Sequence, residues 1–403
     1  MAAHNISHGL KARPLRVVLD GRIVIPRMTG AGRYVIELAT RLPRLAEDLT
    51  VEVLLRPEMR LTRVPDLFLE SGATVHYVDV QVATLRQWLV IPGVLARLKP
   101  DLYHYPFFDL PYVATPSVVT IYDLNPMRDL GYFDRYASIK RVAARMLIRR
   151  TLRRSRAALA ISEATRALIR ENWPESAHKV RTVHLGVDPD AWASATRDRG
   201  AGMSDSTTSR MWRSRQYVLY VGVDRPHKNL LRLVRSFERF RQKNGWHDAK
   251  GPYLWLAGVG EASPQLRAQV VASGLSQDVR LDYELDEDRL RLAYAGAIAV
   301  IYVSTSEGFG LPILEAFAAG VPVICSDRSS LPEVGGDAAA YVDPYDEVSI
   351  SEVLHKVWAD DVLRQALAAR GHERVAHFSW DATAMSTCDV YYEVLGLRNS
   401  GQP

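Results

Sequence analysis

Short apolar runs of strand length, each followed by a segment long enough for a helix, recur in two series along this chain. The first series is Leu15 to Asp20, Val51 to Leu55, Thr74 to Val78, Leu102 to His104, Ser117 to Ile121 and Val180 to Leu185. The second is Tyr217 to Val223, Tyr253 to Leu256, Val279 to Tyr283, Ile298 to Val303, Pro322 to Cys325 and Ala339 to Val342. Strands covered on both faces read as continuous hydrophobic runs, and strands alternating with helices build parallel, doubly wound sheets. Two series therefore predict two α/β domains, and 403 residues suit two domains of roughly 150–200 residues each. Between them, residues 197–215 turn to Arg, Gly, Ser, Thr and Asp, the composition of a linker. The expected division is a loose tail over 1–14, domains over 15–196 and 216–378, and a helical segment over 379–403.

Apolar content of 47% and charged content of 24% are ordinary for a globular protein. No run approaches the roughly 20 apolar residues of a membrane span, and Met1 to Pro14 lacks the apolar core of a signal peptide. Two cysteines, Cys325 and Cys388, exclude a disulfide framework or thiolate cluster, so a reducing cytoplasm is expected. The net charge of +5 is unevenly spread: residues 135–156 hold nine basic side chains and no acidic one. Arg141, Arg145 and Arg149 fall on one helical face, beside an apolar stripe of Ile139, Val142, Ala143, Met146 and Leu147 expected to pack on the core. Two readings stay open: a solvated basic face, or a face docked on anionic headgroups at about 1 kcal/mol per basic side chain. No nucleic-acid-binding motif accompanies the charge.

The densest chemistry lies in Ser306-Glu307-Gly308-Phe309-Gly310-Leu311-Pro312-Ile313-Leu314-Glu315-Ala316-Phe317. A glycine-bearing turn leaves a strand and opens into a helix, with Pro312 in the first helical turn and Gly320 at the far end. Amides of Gly308, Phe309, Gly310 and Leu311 then crown a helix N-terminus, which favours an anion. Glu307 and Glu315 add two hydroxyl-seeking carboxylates. A site for a sugar phosphate and a plain strand-to-helix turn both fit these residues.

The run resembles the Glu-x7-Glu signature of family 4 retaining glycosyltransferases, and the likeness continues through Ala318-Ala319-Gly320-Val321-Pro322-Val323-Ile324 to Ser330-Leu331-Pro332-Glu333-Val334. The resemblance implies the GT-B fold: two Rossmann-like domains, a nucleotide-sugar in the cleft between them, and a last helix crossing back to the N-terminal domain. It assigns Glu315 to the nucleotide ribose and Glu307 to a hydroxyl of the donor hexose.

Other segments are weaker. Thr29-Gly30-Ala31-Gly32-Arg33-Tyr34 lacks the third glycine of a dinucleotide fingerprint, which falls at Val35; Gly30 and Gly32 resemble the family's loop over the diphosphate. Gly222-Val223-Asp224-Arg225-Pro226-His227-Lys228-Asn229 resembles the family's cationic segment, with Lys228 the principal cation and Arg225 a neighbour. Val223 and His227 stand where arginine is frequent. Val118 to Leu124 resembles an apolar strand ending in His-Asp-Leu, with Tyr122 in place of the histidine and Asp123 a catalytic candidate beside Glu307 and Lys228. His104 matches a strand end near the cleft. Asp188-Pro189-Asp190 and Asp286-Glu287-Asp288 have a metal-binding spacing, but a turn and a helix start explain both, and the resembled fold needs no metal.

The function implied is transfer of a hexose, with mannose favoured by the Pro-His-Lys-Asn variant, to a glycan or lipid-linked acceptor in surface polysaccharide or glycolipid assembly. No cofactor is implied; the donor, GDP-mannose or a UDP-sugar, is a substrate. The expected location is cytoplasmic, peripheral at the inner face of the membrane. Two alternatives remain: another nucleotide-sugar enzyme on a similar frame (an epimerase or inverting transferase), or a non-catalytic scaffold, prompted by Val223 and Tyr122.

Overall fold

The computed structural model of the protein describes residues 13–127, 137–192, 215–246 and 251–397. The expected linker (197–215), apart from its last residue, Arg135 of the basic run, and all but the end of the expected tail lie outside the described residues. The chain divides into two compact units. Among the described residues the first holds 13–127, 139–185 and 380–397, and the second 137–138, 186–192, 215–246 and 251–379.

The first unit is built on a parallel sheet of β1 (Leu15–Asp20), β2 (Leu49–Leu55), β3 (Thr74–Tyr77), β4 (Leu102–Tyr105), β5 (Ser117–Ile121), β6 (Ala157–Ala160) and β7 (Val180–Thr182), ordered β3-β2-β1-β4-β5-β6-β7. The second carries β8 (Tyr217–Val221), β9 (Tyr253–Ala257), β10 (Val279–Asp282), β11 (Ala299–Tyr302), β12 (Val323–Ser326) and β13 (Ala339–Val342), ordered β10-β9-β8-β11-β12-β13. All pairings are parallel, so every connection is a crossover, and the central strands are buried along their length. This is the doubly wound α/β architecture that the two apolar series predict. In each sheet the order reverses once, between β1 and β4 and between β8 and β11. Ligands of open α/β sheets bind at the carboxyl ends of the strands flanking such a reversal.

The helix Trp380–Val394 packs along the helix Gly30–Leu45 within the first unit. Arg41 pairs with Asp381 at 2.8 Å, Arg181 with Glu393 at 2.6 Å, and the Tyr391 hydroxyl meets His104 Nδ1 at 2.6 Å. His104 is fully buried, its Nε2 lies 2.8 Å from Thr120 Oγ1, and burial lowers its pKa to about 3. His104, which the sequence places beside the site, is thus a neutral core tie to the last helix.

The basic helix, Ala137–Arg154, corrects another expectation. Its core contacts come from Ala144, Ile148, Thr151 and Leu152. Ile139, Val142 and Met146 stand 70%, 58% and 66% exposed. The buried stripe is phased by the i, i+4, i+8 row at 144, 148 and 152, on nearly the opposite side of the helix from the expected one. Arg145 donates to Asn172 (2.8 Å) and lies over Trp173, while Arg149 pairs with Glu175, so this basic row is partly engaged.

Candidate active site

The switch point of the second sheet assembles most of the residues singled out. After β8 the chain turns at Gly222, whose φ of +145° suits glycine and where a Cβ would stand 3.0 Å from Tyr220 Oη. A short 3-10 turn, Pro226–Lys228, follows, and Asn229 closes it in the left-handed region (φ +62°). Asn229 Nδ2 donates to the carbonyls of Val303 (3.0 Å) and Pro344 (2.7 Å), and Thr305 N donates to His227 O at 2.8 Å. These bonds lock the loop after β8 to the loop after β11.

That second loop carries Glu307. Lys228 Nζ donates to both its carboxylate oxygens, at 2.7 and 2.8 Å. Burial alone would raise the Glu307 pKa, but the Lys228 charge and its hydrogen bonds hold it below the usual value. His227 is buried beside them, and burial with the Lys228 charge brings its pKa down to about 4. It is therefore neutral near pH 7 and adds no cation where the family often has arginine. Arg225 is exposed and Val223 half-exposed.

The backbone of Glu307 to Gly310 is held from beneath by two serines that sequence reasoning did not assign. Ser329 Oγ donates to Glu307 O (2.5 Å) and accepts from Glu307 N (3.1 Å); buried Ser330 Oγ donates to Phe309 O at 2.6 Å. Ser330 was visible only as part of a resembling segment, and Ser329, itself left-handed (φ +60°), gave no signal. Phe309 is buried edge-to-face against Phe378. Gly310, at φ +126°, caps the helix Leu311–Ala318, and a Cβ there would lie 3.1 Å from Leu331. The first amides of this helix have no intrahelical acceptor, so the turn presents Gly308, Gly310 and Leu311 as the sequence places them.

Glu315, inside that helix, is 9% exposed and accepts from Tyr294 Oη at 2.9 Å. Tyr294 is fully buried, packed edge-to-face on Trp192. Burial and the Glu315 charge push its pKa well up, so it stays a donor. Tyr294 was missed because its partner is 21 positions away, with no local pattern joining them.

The remaining candidates belong to the first unit, also at carboxyl ends of strands. Thr29 caps the helix Gly30–Leu45, and its Oγ1 takes the Gly32 N–H at 3.0 Å. The Gly32 amide is therefore committed to the cap, which leaves the Gly30 and Ala31 amides at that terminus for an anion. Asp123 follows β5 and its Oδ1 accepts from Asn125 N at 3.0 Å. The Tyr122 hydroxyl is buried with no hydrogen-bond partner among the described residues, its ring edge-to-face on Tyr34. Beside β1 lies a buried lattice that the sequence did not disclose: Arg22 on Asp20 (2.6 Å) and Gln87 (3.2 Å), and Asp109 accepting from Gln87 and Tyr105, each at 2.6 Å.

The acidic pairs with metal-binding spacing have structural duties. Asp286 Oδ1 caps the helix Glu287–Ala295 through Arg289 N (2.8 Å), Asp288 is exposed near Arg291, and Asp188 Oδ1 accepts from Asp190 N. Among the described residues no cluster of three or more His, Cys, Asp or Glu stands ready to hold a metal ion. No helix of these residues is long and apolar enough to cross a membrane.

Two doubly wound units, with a cation, two carboxylates and helix-start amides at a switch point, define a transferase that handles a nucleotide-bound sugar. The model of glycosyltransferase family 4 matches residues 28–191, and that of the group 1 glycosyl transferases matches residues 211–374. Together these matches span most of the chain, which belongs to the glycosyltransferases of the GT-B fold. The O-antigen chain mannosyltransferase B of Escherichia coli is 29% identical over 380 residues, covering 90% of this chain and 96% of that protein. The O-antigen chain mannosyltransferase RfbU of Salmonella typhimurium is 23% identical, covering 88% and 93%. Among solved structures, sucrose-phosphate synthase from Thermosynechococcus elongatus superposes with a TM-score of 0.74 at 18% identity, over 95% of this chain and all of that one.

Proposed function

We propose that this glycosyltransferase moves a mannosyl residue from a nucleoside diphosphate mannose, GDP-mannose in first place and a UDP-sugar in second, to a glycan or lipid-linked acceptor during surface polysaccharide assembly, with retention at the anomeric carbon. The observation that carries it is the ordered Glu307 and Glu315 pair around a helix start, in a chain similar along most of its length to two O-antigen mannosyltransferases. Glu315, steadied by Tyr294, takes the ribose hydroxyls; Glu307 takes a hexose hydroxyl; Lys228, Arg225 and the amides of Gly308 to Leu311 receive the diphosphate. Gly30 supplies a further amide. Asp123 serves the reacting sugar or the acceptor. Ionised carboxylates act only as acceptors, which suits hydroxyl recognition, and preorganised amides with cations supply the largest stabilisation of a departing phosphate. The departing diphosphate itself accepts the acceptor's proton, so no metal and no covalent Glu307 adduct is required.

We place the protein at the cytoplasmic face of an anionic membrane, held by its basic helix. A thermal-shift panel of nucleotide-sugars tests the donor, followed by product analysis with the preferred one. Stabilisation by GDP-mannose and an α-linked product support the reading. A β-linked product, or donor consumed only by epimerisation, would replace it.

A further inference from the structure

The opposite edge of the first sheet holds a second concavity that the site above does not use. Where β5, β6 and β7 begin, a cavity of about 380 Å³ opens between the loop ahead of Ser117 and the end of the basic helix. Arg153, Arg154, Arg156, His178 and Lys179 line it, and no carboxylate does. Arg153 and Arg156 are exposed, and Arg153 lies within electrostatic reach of Glu175, whose carboxylate pairs with Arg149. Lys179 Nζ is pinned to the carbonyls of Ser155 (2.9 Å) and Arg153 (3.3 Å), which fixes its charge against the wall. Arg154 lies over the Tyr112 ring, 4.3 Å from its centre. Like charges gathered in one concavity repel, and a bound anion relieves them.

The same helix leads a hydrophobic face to this cavity. Ile139, Val142, Met146, Arg149 and Arg153 follow one another at spacings of three and four, so they share a face. It is apolar over its first two turns and cationic over its last two. At 1.5 Å per residue, Arg153 lies about 21 Å from Ile139 along the axis. Exposed Leu85 and Leu89 flank Trp88, on whose ring Arg150 of the same helix stacks at 3.7 Å. An apolar stripe bordered by arginines is the pattern of a helix lying in a membrane interface.

We infer that this face is a membrane-docking surface in which Ile139, Val142 and Met146 enter the acyl boundary while the cavity of Arg153, Arg156 and Lys179 takes the phosphate of an anionic phospholipid. The inference rests on the membrane placement proposed above and is independent of the donor chemistry. It adds a defined phosphate site and an inserted apolar component to a diffuse basic attraction.

The test is flotation of the full chain with phosphatidylcholine vesicles, with and without phosphatidylglycerol. Arg153→Gln with Arg156→Gln should lower affinity for the anionic vesicles about 25-fold, at about fivefold per charge. Val142→Ser with Met146→Ser should abolish the binding that survives at about 1 M salt, where charge attraction is screened within about 3 Å. GDP-induced thermal stabilisation should be retained in both, which separates this site from the donor site and certifies the fold; Arg156→Gln alone is the milder second variant. Wild-type affinity for anionic vesicles in the double arginine variant would overturn the inference. So would thermal stabilisation by inorganic phosphate, lost in that variant, in a protein that ignores vesicles, because the cavity would then serve a soluble anion. A wild-type dimer that Met146→Ser dissolves would assign the apolar face to a second copy instead.

Discussion

Lys228 Nζ rests 2.7 and 2.8 Å from the two carboxylate oxygens of Glu307, joining the residue proposed for the diphosphate to the residue proposed for the hexose. The pair solves a local problem. Glu307 is nearly enclosed, and a carboxylate taken from water without a partner neutralises or destabilises the fold. Lys228 keeps it ionised, and an acceptor-only group is what a sugar hydroxyl needs. A donor diphosphate must then share the ammonium, so donor binding and Glu307 orientation are coupled through one side chain.

That coupling has a signature in stability. Lys228→Met should destabilise the protein by about 1–3 kcal/mol at neutral pH, below the ~3–5 kcal/mol of a fully enclosed pair, since the two side chains keep 17% and 12% of their surface. Adding Glu307→Gln should recover much of the loss, because no buried charge is then stranded. Urea denaturation of both single variants and the double variant provides the cycle. The acid limb follows from the depressed Glu307 pKa. The pair's contribution is present above the unfolded value near 4.3 and is lost as pH falls through the lower folded value. Glu307→Gln should therefore flatten stability against pH below about 4.5. A double variant as unstable as Lys228→Met would contradict the coupling.

Glu315 and Tyr294 make a separable unit. Glu315→Ala should weaken binding of the nucleoside diphosphate at least tenfold, since a hydrogen bond to a charged group contributes about 1.5–3 kcal/mol. Tyr294→Phe keeps the ring against Trp192 and removes only the donor that orients the carboxylate. It should narrow discrimination between ribo- and 2′-deoxyribonucleotide while leaving thermal stability within about 1 kcal/mol. Isothermal titration with the paired nucleotides decides: unchanged affinity for the ribonucleotide in Glu315→Ala would remove Glu315 from the ribose.

Two buried histidines set the response to mild acid. Burial brings His104 to about 3 and His227 to about 4, against roughly 6.5 in the unfolded chain. Above pH 6.5 both states are neutral and the full stability is present. Below it the unfolded state takes protons that the native state refuses, so stability falls toward the folded values. His104→Gln should lessen the fall between about pH 6.5 and 4, at the cost of a weakened tie to Tyr391 and Thr120. Guanidinium titrations at several pH values would show an unchanged slope if His104 were already protonated in the fold.

Twelve of the thirteen strands among the described residues were legible from apolar runs, because a strand covered on both faces must be apolar throughout. β6, Ala-Ala-Leu-Ala, escaped: alanine has little strand preference, and its place in the sheet comes from parallel pairing with Val118 to Ile121. The turn at Glu307 to Leu311 was readable because glycine, proline and carboxylates sit within a few residues. Tyr294, Ser329 and the Asp20–Arg22–Gln87–Asp109 lattice were not, since apart from Asp20 and Arg22 the partners lie 21 or more positions away in the sequence. The phase of the basic helix failed for a related reason. Apolar residues occupy both of its faces, and only the packed fold selects Ala144, Ile148 and Leu152.

The charge ledger of the site gives the remaining prediction, on metal dependence. A departing diphosphate gains negative charge, and something fixed must meet it. Many transferases use a divalent ion on an Asp-x-Asp pair, but here Asp286 is committed to a helix cap and Asp288 stands in solvent beside Arg291. Lys228, Arg225 and the amides that start the helix Leu311–Ala318 lie on the two loops of the switch point, where they are proposed to do this work. Donor turnover should therefore continue in excess chelator. Lys228→Met should lower kcat about 10²–10³-fold, the loss typical of a single preorganised electrostatic contact. Donor-turnover assays with GDP-mannose, with and without chelator, run on wild type, Lys228→Met and an Asp286→Asn/Asp288→Asn variant, separate the possibilities. Turnover abolished by chelator, restored by manganese and lost again in the aspartate variant would move the burden from Lys228 to a metal.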